Sequence, residues 1–147
     1  MNLLTGEYNN TIDEKGRVSF PVKLRSAVNQ NVVIVTKGLE RCLWLFTVDE
    51  WESFQTKLMS NASMMKSRSL NVVRHFIAPA QTVEFDKSGR LSIPQSLREY
   101  ANLNKDCTVL GIAKYMELWD LDTYNKFLAD TEESFRDAAE EFNDINF

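Results

Sequence analysis

The sequence predicts an α+β fold made of two copies of one small unit, in which a β-hairpin leads into a short helix. Residues 13–25 and 86–98, which lie 73 positions apart, are identical at seven of their thirteen positions. An apolar run follows each copy, at residues 32–36 and at residues 108–112. Because an internal repeat indicates one structural unit used twice, we expect a duplicated domain.

Each copy begins with a tight turn that ends in glycine. Asp13 and Arg17 flank the three turn residues 14–16, and Asp86 and Arg90 stand in the same places of the second copy. A three-residue hairpin loop favours glycine at its last position, because glycine adopts the left-handed conformation without a steric penalty. The sequence therefore predicts two equivalent turns, each with an Asp-Arg pair at its base.

A strand and a short helix are predicted to follow each turn. Polar and apolar residues alternate at 17–20 and at 90–93, which is typical of a strand with one buried face. The next residues, Pro21 and Pro94, suit the first position of a helix. We expect these helices to continue through Val28 and Ala101 and to stop at the asparagines that follow, Asn29 and Asn102.

Apolar periodicity predicts the remaining elements. We expect a strand from Leu3 to Ile12, further strands at 32–36, 42–46, 108–112 and 116–119, and helices from Asp49 to Asn61 and from Asp122 onward. Residues 63–77 should form a helix that bridges the two units. Its apolar stripe is Met64, Leu70, Val73 and Ile77, and its polar side carries Lys66, Arg68, Arg74 and His75.

The repeated pattern D-x-x-G-R-[VL]-S-[FI]-P-x-x-L-R resembles that of the MraZ family, whose members carry two DxxxR-bearing units of the SpoVT/AbrB type. The resemblance implies a pseudo-two-fold, small β-barrel-like core with flanking helices. It also implies four segments: a first unit at 5–53, connecting helices at 54–79, a second unit at 81–124, and an acidic C-terminal helix or tail at 125–147.

The resemblance further implies a cytoplasmic, nucleoid-associated transcriptional regulator that binds double-stranded DNA. Such proteins bind direct repeats upstream of the division and cell-wall gene cluster, including their own gene, and usually repress it. They form rings, commonly octameric, through head-to-tail contacts. The resemblance identifies Arg17 and Arg90 as the motif arginines, and Asp13 and Asp86 as the motif aspartates.

The chemistry of the turns is compatible with that function. A guanidinium fork suits phosphate oxygens and guanine edges in a major groove. Hairpin closure alone is the alternative explanation for the aspartates. We expect the first turn to be the stronger reader, because lysines and an arginine lie close to it in sequence. The residues predicted to bind DNA are Asp13, Lys15, Arg17, Lys23, Arg25, Asp86, Lys87, Arg90 and Arg98.

The net charge of −4 is unevenly distributed along the chain. Residues 1–116 contain 15 Lys or Arg and 11 Asp or Glu, a balance of +4. Residues 117–147 contain two basic and ten acidic residues, a balance of −8. Such asymmetry is more informative than the total. We expect a solvated acidic helix at the end of the chain and a more basic body.

Composition and motifs argue against a membrane protein, a secreted protein and a protein with a CxxC site. No apolar run approaches the roughly 20 residues of a membrane span, and the N-terminal residues lack the pattern of a signal peptide, so we expect a soluble cytoplasmic protein. Cys42 and Cys107 form no CxxC pair and are predicted to be reduced core residues. We expect no cofactor and no metal.

The search for catalytic chemistry favours a binding protein over an enzyme. The single histidine, His75, has no neighbouring Cys or paired carboxylate in sequence, and a surface or interface role is predicted for it. Arginine is a poor general acid because it hardly deprotonates. Two alternatives stay open: a protein-interaction module of antitoxin-like type, whose acidic tail folds onto a partner, and an enzyme that acts on an anionic substrate.

Overall fold

The structure, a computed structural model, describes residues 4–28, 30–63 and 65–147, and eight strands and five helices are formed within these ranges. The strands are β1 Leu4–Thr11, β2 Arg17–Ser19, β3 Val32–Lys37, β4 Leu43–Phe46, β5 Gln81–Glu84, β6 Arg90–Ser92, β7 Asp106–Ala113 and β8 Met116–Asp120. The helices are α1 Val22–Arg25, α2 Val48–Asn61, α3 Ser67–Phe76, α4 Gln95–Tyr100 and α5 Leu121–Glu140. The predicted α+β class is confirmed.

The two halves of the chain are interleaved in one six-stranded antiparallel sheet of order β1-β7-β8-β4-β3-β5. Each half contributes a central hairpin, β3-β4 or β7-β8, and the first strand of each half pairs with the hairpin of the other half. The order reads the same when the halves are exchanged. This pairing scheme shows that neither half completes its sheet alone.

A second, two-stranded ribbon joins the turn segments of the two halves. β2 pairs antiparallel with β6, so that Val18 lies opposite Leu91 at its centre. Both of these residues are fully buried, while Ser19 and Ser92 are exposed. The predicted alternation is therefore confirmed, but each hairpin is closed only by a short base, at the Ile12–Val18 bridge in the first copy.

The core lies between the ribbon, the short helices and one face of the sheet. It combines equivalent residues of both halves, including Leu24 with Leu97 and Phe20 with Ile93. Cys107 is buried in this core, and Cys42 is buried on the other side of the sheet, without a disulfide. Burial raises the pKa of the Cys107 thiol to about 12. The predicted burial of both cysteines is confirmed.

Two predicted helices are shorter than expected. α1 ends at Arg25 rather than Val28, because bonds of the i→i+3 type tighten the chain at Ala27 and Val28. The bridging helix begins at Ser67 rather than residue 63, since Ser63 N donates to Ser69 Oγ at 2.9 Å and folds the chain back over the first turn. Leu3, Asn29 and Met64, which sequence predictions named, lie outside the described residues.

Hydrogen bonds to the backbone anchor α3 on the sheet. The buried Thr36 hydroxyl donates to Phe76 O at 2.6 Å, and His75 Nε2 donates to Gly38 O at 2.8 Å. The half-buried ring of His75 thereby ties α3 to the turn that follows β3, and the predicted surface or interface role of His75 stays a prediction. Asn102, the predicted stop after α4, adopts a left-handed φ of 54° as expected.

The far face of the sheet carries an aromatic layer under α2, α3 and α5. Within it, the Glu117 carboxylate accepts from Trp44 Nε1 at 3.0 Å and from Trp119 Nε1 at 2.9 Å. Burial raises the pKa of Glu117 above its ordinary value. Trp44 and Trp119 occupy equivalent positions in the two halves, so one carboxylate links the halves on this face.

The acidic C-terminal segment is helical over Leu121–Glu140 and leaves the body of the protein early. Tyr124 and Phe127 pack on Trp119, with ring centroids 5.2 and 5.1 Å away. Almost all later residues are exposed. None of the helices in the described part of the chain combines the length and the apolar character that crossing a membrane requires.

Candidate nucleic-acid interface

The first turn is held by the carboxylate of Asp13. Its Oδ1 accepts from the backbone N–H groups of Lys15 and Arg17, each at 2.9 Å. Its Oδ2 accepts from Arg17 Nε at 2.7 Å. Gly16 N donates to Asp13 O, and Gly16 has a φ of +79°, the left-handed conformation that its position predicts. One aspartate thus fixes both the loop backbone and the orientation of the arginine.

The second turn repeats this geometry almost atom for atom. Asp86 Oδ1 accepts from Ser88 N and Arg90 N at 2.9 Å, and Asp86 Oδ2 accepts from Arg90 Nε at 2.9 Å. Gly89 has a φ of +77°. The prediction of two equivalent turns with an Asp-Arg pair is confirmed.

Hydrogen bonding to the charged form controls the ionisation of both aspartates. The backbone N–H of Arg17, helped by its guanidinium and by Lys15 N, holds the pKa of Asp13 below its ordinary value. The backbone N–H of Arg90 does the same for the pKa of Asp86. Both carboxylates are therefore negative at neutral pH and hold the Nε edge of their arginines, so the terminal amino groups remain the donors for a ligand.

The two turns support each other across the ribbon. Phe20 N donates to Gly89 O at 3.1 Å, and Ile93 N donates to Gly16 O at 2.9 Å. Each turn glycine is therefore bonded to the strand end of the other half. Arg90 Nη1 also lies 4.0 Å from Asp13 Oδ2, in the first turn. The turns therefore form one surface, which we call the paired-turn surface.

An arginine from the opposite half covers each turn glycine. A Cβ atom on Gly16 would collide with the guanidinium of Arg98, and one on Gly89 would collide with that of Arg25. Arg98 Nη1 in addition donates to Ile93 O at 2.6 Å. Glycine is therefore required at each turn by its backbone conformation. A side chain at Gly16 would in addition displace Arg98, which is held by its bond to Ile93 O, whereas at Gly89 the flexible end of Arg25 would have to move.

This crossing corrects the grouping of charges that sequence proximity predicted. In sequence, Arg25 lies close to the first turn and Arg98 close to the second, but their guanidinium groups lie on the opposite turns. The reason is the pairing of β2 with β6, which carries the start of each short helix to the other turn. Arg25 therefore does not support the expectation that the first turn binds DNA more strongly than the second.

The predicted lysines occupy exposed positions around this surface. Lys15 and Lys87 lie in the first and second turns, and both are exposed. Lys23 on α1 lines a shallow groove with Pro21 and strand β1, including Asn10. The structure therefore brings Asp13, Arg17, Asp86, Arg90, Arg25 and Arg98 into one constellation, with Lys15 and Lys87 in its loops and Lys23 on a neighbouring groove.

Sequence reasoning missed two polar residues of the paired-turn surface. Ser19 lies opposite Arg90 and Ser92 lies opposite Arg17 in the ribbon register, and both serines are exposed. Their alternation with the arginines was the available signal. It did not show that strands from different halves pair, because the backbone bonds that pair them carry no side-chain signature.

The arrangement suits anion binding. Arginine donors and serine hydroxyls can bind phosphate oxygens or base edges. Among the described residues, no group of three or more His, Cys, Asp or Glu side chains could hold a metal ion.

A family model and a curated protein both match this chain. The family model described as "MraZ protein, putative antitoxin-like" matches the chain twice, at residues 3–73 and 76–146. The protein "Transcriptional regulator MraZ" from Treponema denticola is 51% identical over 144 residues, which cover 98% of this chain and 100% of that protein. The solution structure of PHS018 from Pyrococcus horikoshii covers 78% of this chain and 96% of its own, at 17% identity and a TM-score of 0.35.

The double match of the family model agrees with the two turns, and the match to the curated relative covers all of that protein and nearly all of this chain. The chain belongs to the MraZ family.

Proposed function

We propose that the protein is a sequence-specific DNA-binding transcriptional regulator that reads DNA with the paired-turn surface. The observation that carries the proposal is the presence of two half-exposed arginines, Arg17 and Arg90, on one ribbon, each oriented by its own aspartate. The name of the Treponema denticola relative, a transcriptional regulator, supports it. No catalytic step is proposed, since the surface offers donors without a nucleophile and base in contact.

Pre-organisation is the physical reason why this surface suits DNA. A free arginine side chain loses rotamer freedom when it binds, and that loss opposes affinity. Here the aspartates hold Nε of each arginine before DNA arrives. The terminal amino groups can then form bidentate bonds to guanine O6 and N7 or to a phosphate. The nine predicted site residues divide accordingly: Arg17 and Arg90 read, Lys15, Lys23 and Lys87 contact phosphates, and Asp13, Asp86, Arg25 and Arg98 position the turns.

The finer proposals concern the target, the assembly and the fold type. We propose that the protein represses the division and cell-wall gene cluster and its own promoter, in the cytoplasm and associated with the nucleoid.

A single paired-turn surface makes few contacts to DNA. Several copies in a ring, of octamer type, would therefore bind direct-repeat boxes through raised local concentration. We further propose two SpoVT/AbrB-type units at 5–53 and 81–124 around a small barrel-like core, with connecting helices at 54–79 and a tail at 125–147.

The test is binding of Arg17→Ala to a DNA fragment from just upstream of the protein's own gene. Lys114→Ala is the matched control, because it also removes one exposed positive charge, in the turn between β7 and β8. We expect Arg17→Ala to weaken specific binding at least about tenfold, while Lys114→Ala stays near wild type. Equal binding by all three proteins, with the oligomer intact, would remove the site assignment.

Salt dependence separates base reading from phosphate contact. The slope of log K against log salt concentration counts neutralised phosphates. Loss of Lys15 or Lys87 should reduce that slope and weaken all sequences alike. Loss of Arg17 should reduce the preference for promoter over unrelated DNA. An unchanged preference would assign Arg17 to the phosphate contacts instead.

A second candidate function is a protein-interaction module of antitoxin-like type. The family description contains that term, and the C-terminal segment exposes large apolar residues. In that case, deletion from Asp130 onward would abolish a complex with another protein and spare DNA binding. Loss of DNA binding in Arg17→Ala without such a complex would favour the regulator.

A further inference from the structure

The two ribbon strands alone give the paired-turn surface no direction. Arg17 lies opposite Ser92 at one end of the ribbon, and Ser19 lies opposite Arg90 at the other end. A rotation that exchanges the two halves therefore leaves this set of side chains unchanged, and a two-fold surface fits a two-fold site. Direct repeats all point the same way along the DNA, so a protein that reads them needs a difference between the two ends of its surface.

The two ends of the ribbon differ in the first residue of the short helices. Val22 opens α1 and Gln95 opens α4, at equivalent positions of the repeat. Val22 is 68% exposed, and Gln95 is exposed as well. Other exposed differences, such as Lys15 in the first turn against Ser88 in the second, change a charge that acts mainly on phosphates, which every sequence shares. Val22 and Gln95 are both uncharged, so their difference concerns the base edges.

The geometry of α1 places Val22 beside the second turn. Phe20 N donates to Gly89 O at 3.1 Å, and α1 begins two residues later. Val22 and Arg25 are three positions apart and so project from the same side of the helix, and the guanidinium of Arg25 lies over Gly89. Leu24, which is buried, marks the opposite side. Val22 therefore lies at the rim of the paired-turn surface and is exposed to solvent.

Gln95 has the corresponding place beside the first turn. Ile93 N donates to Gly16 O at 2.9 Å, and α4 begins two residues later. Arg98, three positions after Gln95, covers Gly16. The Nε2 group of Gln95 donates to Glu99 Oε1 at 3.1 Å. The two ends of the surface thus offer different groups, an amide beside the first turn and an apolar side chain beside the second.

A single exposed valine is ordinary on a protein surface, but DNA offers one apolar group that suits this position. In the major groove, that group is the C5 methyl of thymine. We propose that Val22 contacts a thymine methyl and that the contrast between Val22 and Gln95 sets the direction in which the protein lies on each box. The inference rests on the proposed DNA-binding function and adds a specificity-determining residue to it.

The experiment removes the thymine methyl and leaves the rest of the base pair intact. Protection from cleavage first locates the box within the DNA fragment from just upstream of the protein's own gene. Each thymine of that box is then replaced, one at a time, by deoxyuridine, which lacks only the C5 methyl, and fluorescence anisotropy measures the affinity. At one thymine, the loss of a buried methyl should weaken wild-type binding about fourfold.

A variant shows whether Val22 is the residue that contacts the methyl. Val22→Ala should bind the thymine duplex about threefold to tenfold more weakly than wild type, and it should no longer distinguish thymine from deoxyuridine at that position. Leu39→Ala is the matched control, because Leu39 is 69% exposed on the turn between β3 and β4. It should keep the wild-type affinity and the wild-type response to deoxyuridine.

Exchange of the two residues tests the direction. Val22→Gln with Gln95→Val moves the apolar side chain from the second turn to the first. The exchanged protein should lose its response to deoxyuridine at the original thymine and keep native packing by near-ultraviolet circular dichroism. In a duplex that carries thymine at the mirrored position of the box, its response to deoxyuridine should reappear.

Three results would overturn the inference. They are a box in which deoxyuridine replaces every thymine without loss of wild-type affinity, a Val22→Ala protein that still distinguishes the two bases, and an exchanged protein that responds at the original thymine. Each of them leaves the proposed function standing if Arg17→Ala weakens promoter binding. Equal promoter binding by wild type and Arg17→Ala contradicts the proposed site instead, and a wild-type protein that protects no box contradicts both proposals.

Discussion

The two halves of this molecule are nearly identical at the turns and different on the far face of the sheet. Asp13 and Asp86 make the same set of hydrogen bonds, at distances that differ by at most 0.2 Å. On the far face, the residue before the shared Leu-Trp pair is Cys42 in one half and Glu117 in the other. The hydrogen bonds of each turn are made within the turn itself, so both halves need the same residues there. On the far face, the single carboxylate of Glu117 binds the indole N–H groups of both Trp44 and Trp119, so the other half needs no second carboxylate.

The largest expected effect tests whether the two turns act together. Arg17→Ala combined with Arg90→Ala should weaken specific DNA binding by about 100-fold or more, since each bidentate contact contributes roughly 1–3 kcal/mol of discrimination. Fluorescence anisotropy with promoter and unrelated DNA measures it. The single variants should fall within about threefold of each other if the turns are functionally equivalent. A much larger loss from one of them would break the equivalence.

The next effect tests the arginines that cross between halves. Gly16→Ala and Gly89→Ala should each lower the free energy of unfolding by about 1–3 kcal/mol, because of the left-handed φ and the collision with a guanidinium. We expect Gly16→Ala to cost more, since Arg98 is held by its bond to Ile93 O. Denaturant titration measures both.

A double-mutant cycle isolates the steric part of that cost. In an Arg98→Ala background, Gly16→Ala should lose only the conformational penalty, roughly 1 kcal/mol. The same holds for Gly89→Ala in an Arg25→Ala background. Additive losses in both cycles would show that the crossing arginines move aside freely.

A smaller effect tests the unequal far face. Glu117→Gln should lower the free energy of unfolding by about 1–2 kcal/mol, because an amide has one carbonyl acceptor for two indole N–H donors. Removal of the buried charge offsets part of this loss. Thermal unfolding measures it, and Glu52→Gln on the exposed side of α2 is the control.

The difference in free energy of unfolding between wild type and Glu117→Gln should depend on pH, and the raised pKa of Glu117 fixes the direction of that dependence. The pKa of Glu117 is raised in the folded protein above its ordinary value of 4.5. The ionised carboxylate therefore carries a cost above the folded pKa, and that cost disappears as the pH falls towards 4.5. The stability of wild type relative to Glu117→Gln should rise over this interval. If the stability of wild type relative to Glu117→Gln instead falls on acidification, burial does not raise the pKa of Glu117.

The smallest effect concerns the aspartates. Their pKa values are lowered from 3.8, so the stability they contribute is present above pH 3.8 and is lost as the pH falls through the folded values. Carboxyl titration by NMR should show both below 3.8. Arg90→Ala should raise the pKa of Asp86 and also slightly that of Asp13, because Arg90 lies near both carboxylates. A shift of Asp86 alone would show that the turns are electrostatically independent.

Much of the fold could be predicted because its signals are local. The turn glycines, the alternation after them and the prolines before the short helices each depend on φ, sterics or period within a few residues. Helix ends were less predictable, as at Arg25 and Ser67, since single hydrogen bonds of Ser and backbone groups decide them. The bond from His75 to Gly38 O could not be predicted, because the two residues lie 37 positions apart in the chain.

By itself, the sequence determined that this protein contains an internal duplication and that each copy carries a turn with an Asp-Arg pair at its base. It also determined that acidic residues are concentrated at the C-terminus. Only the tertiary structure decided that β2 pairs with β6, that Arg25 and Arg98 cover the glycines of the opposite turns, and that Glu117 serves both tryptophans. The physical reason is the separation in sequence of the residues that interact. Turn chemistry acts between neighbours, whereas strand pairing uses backbone groups that all residues share, so its partners are selected by the packing of the whole core.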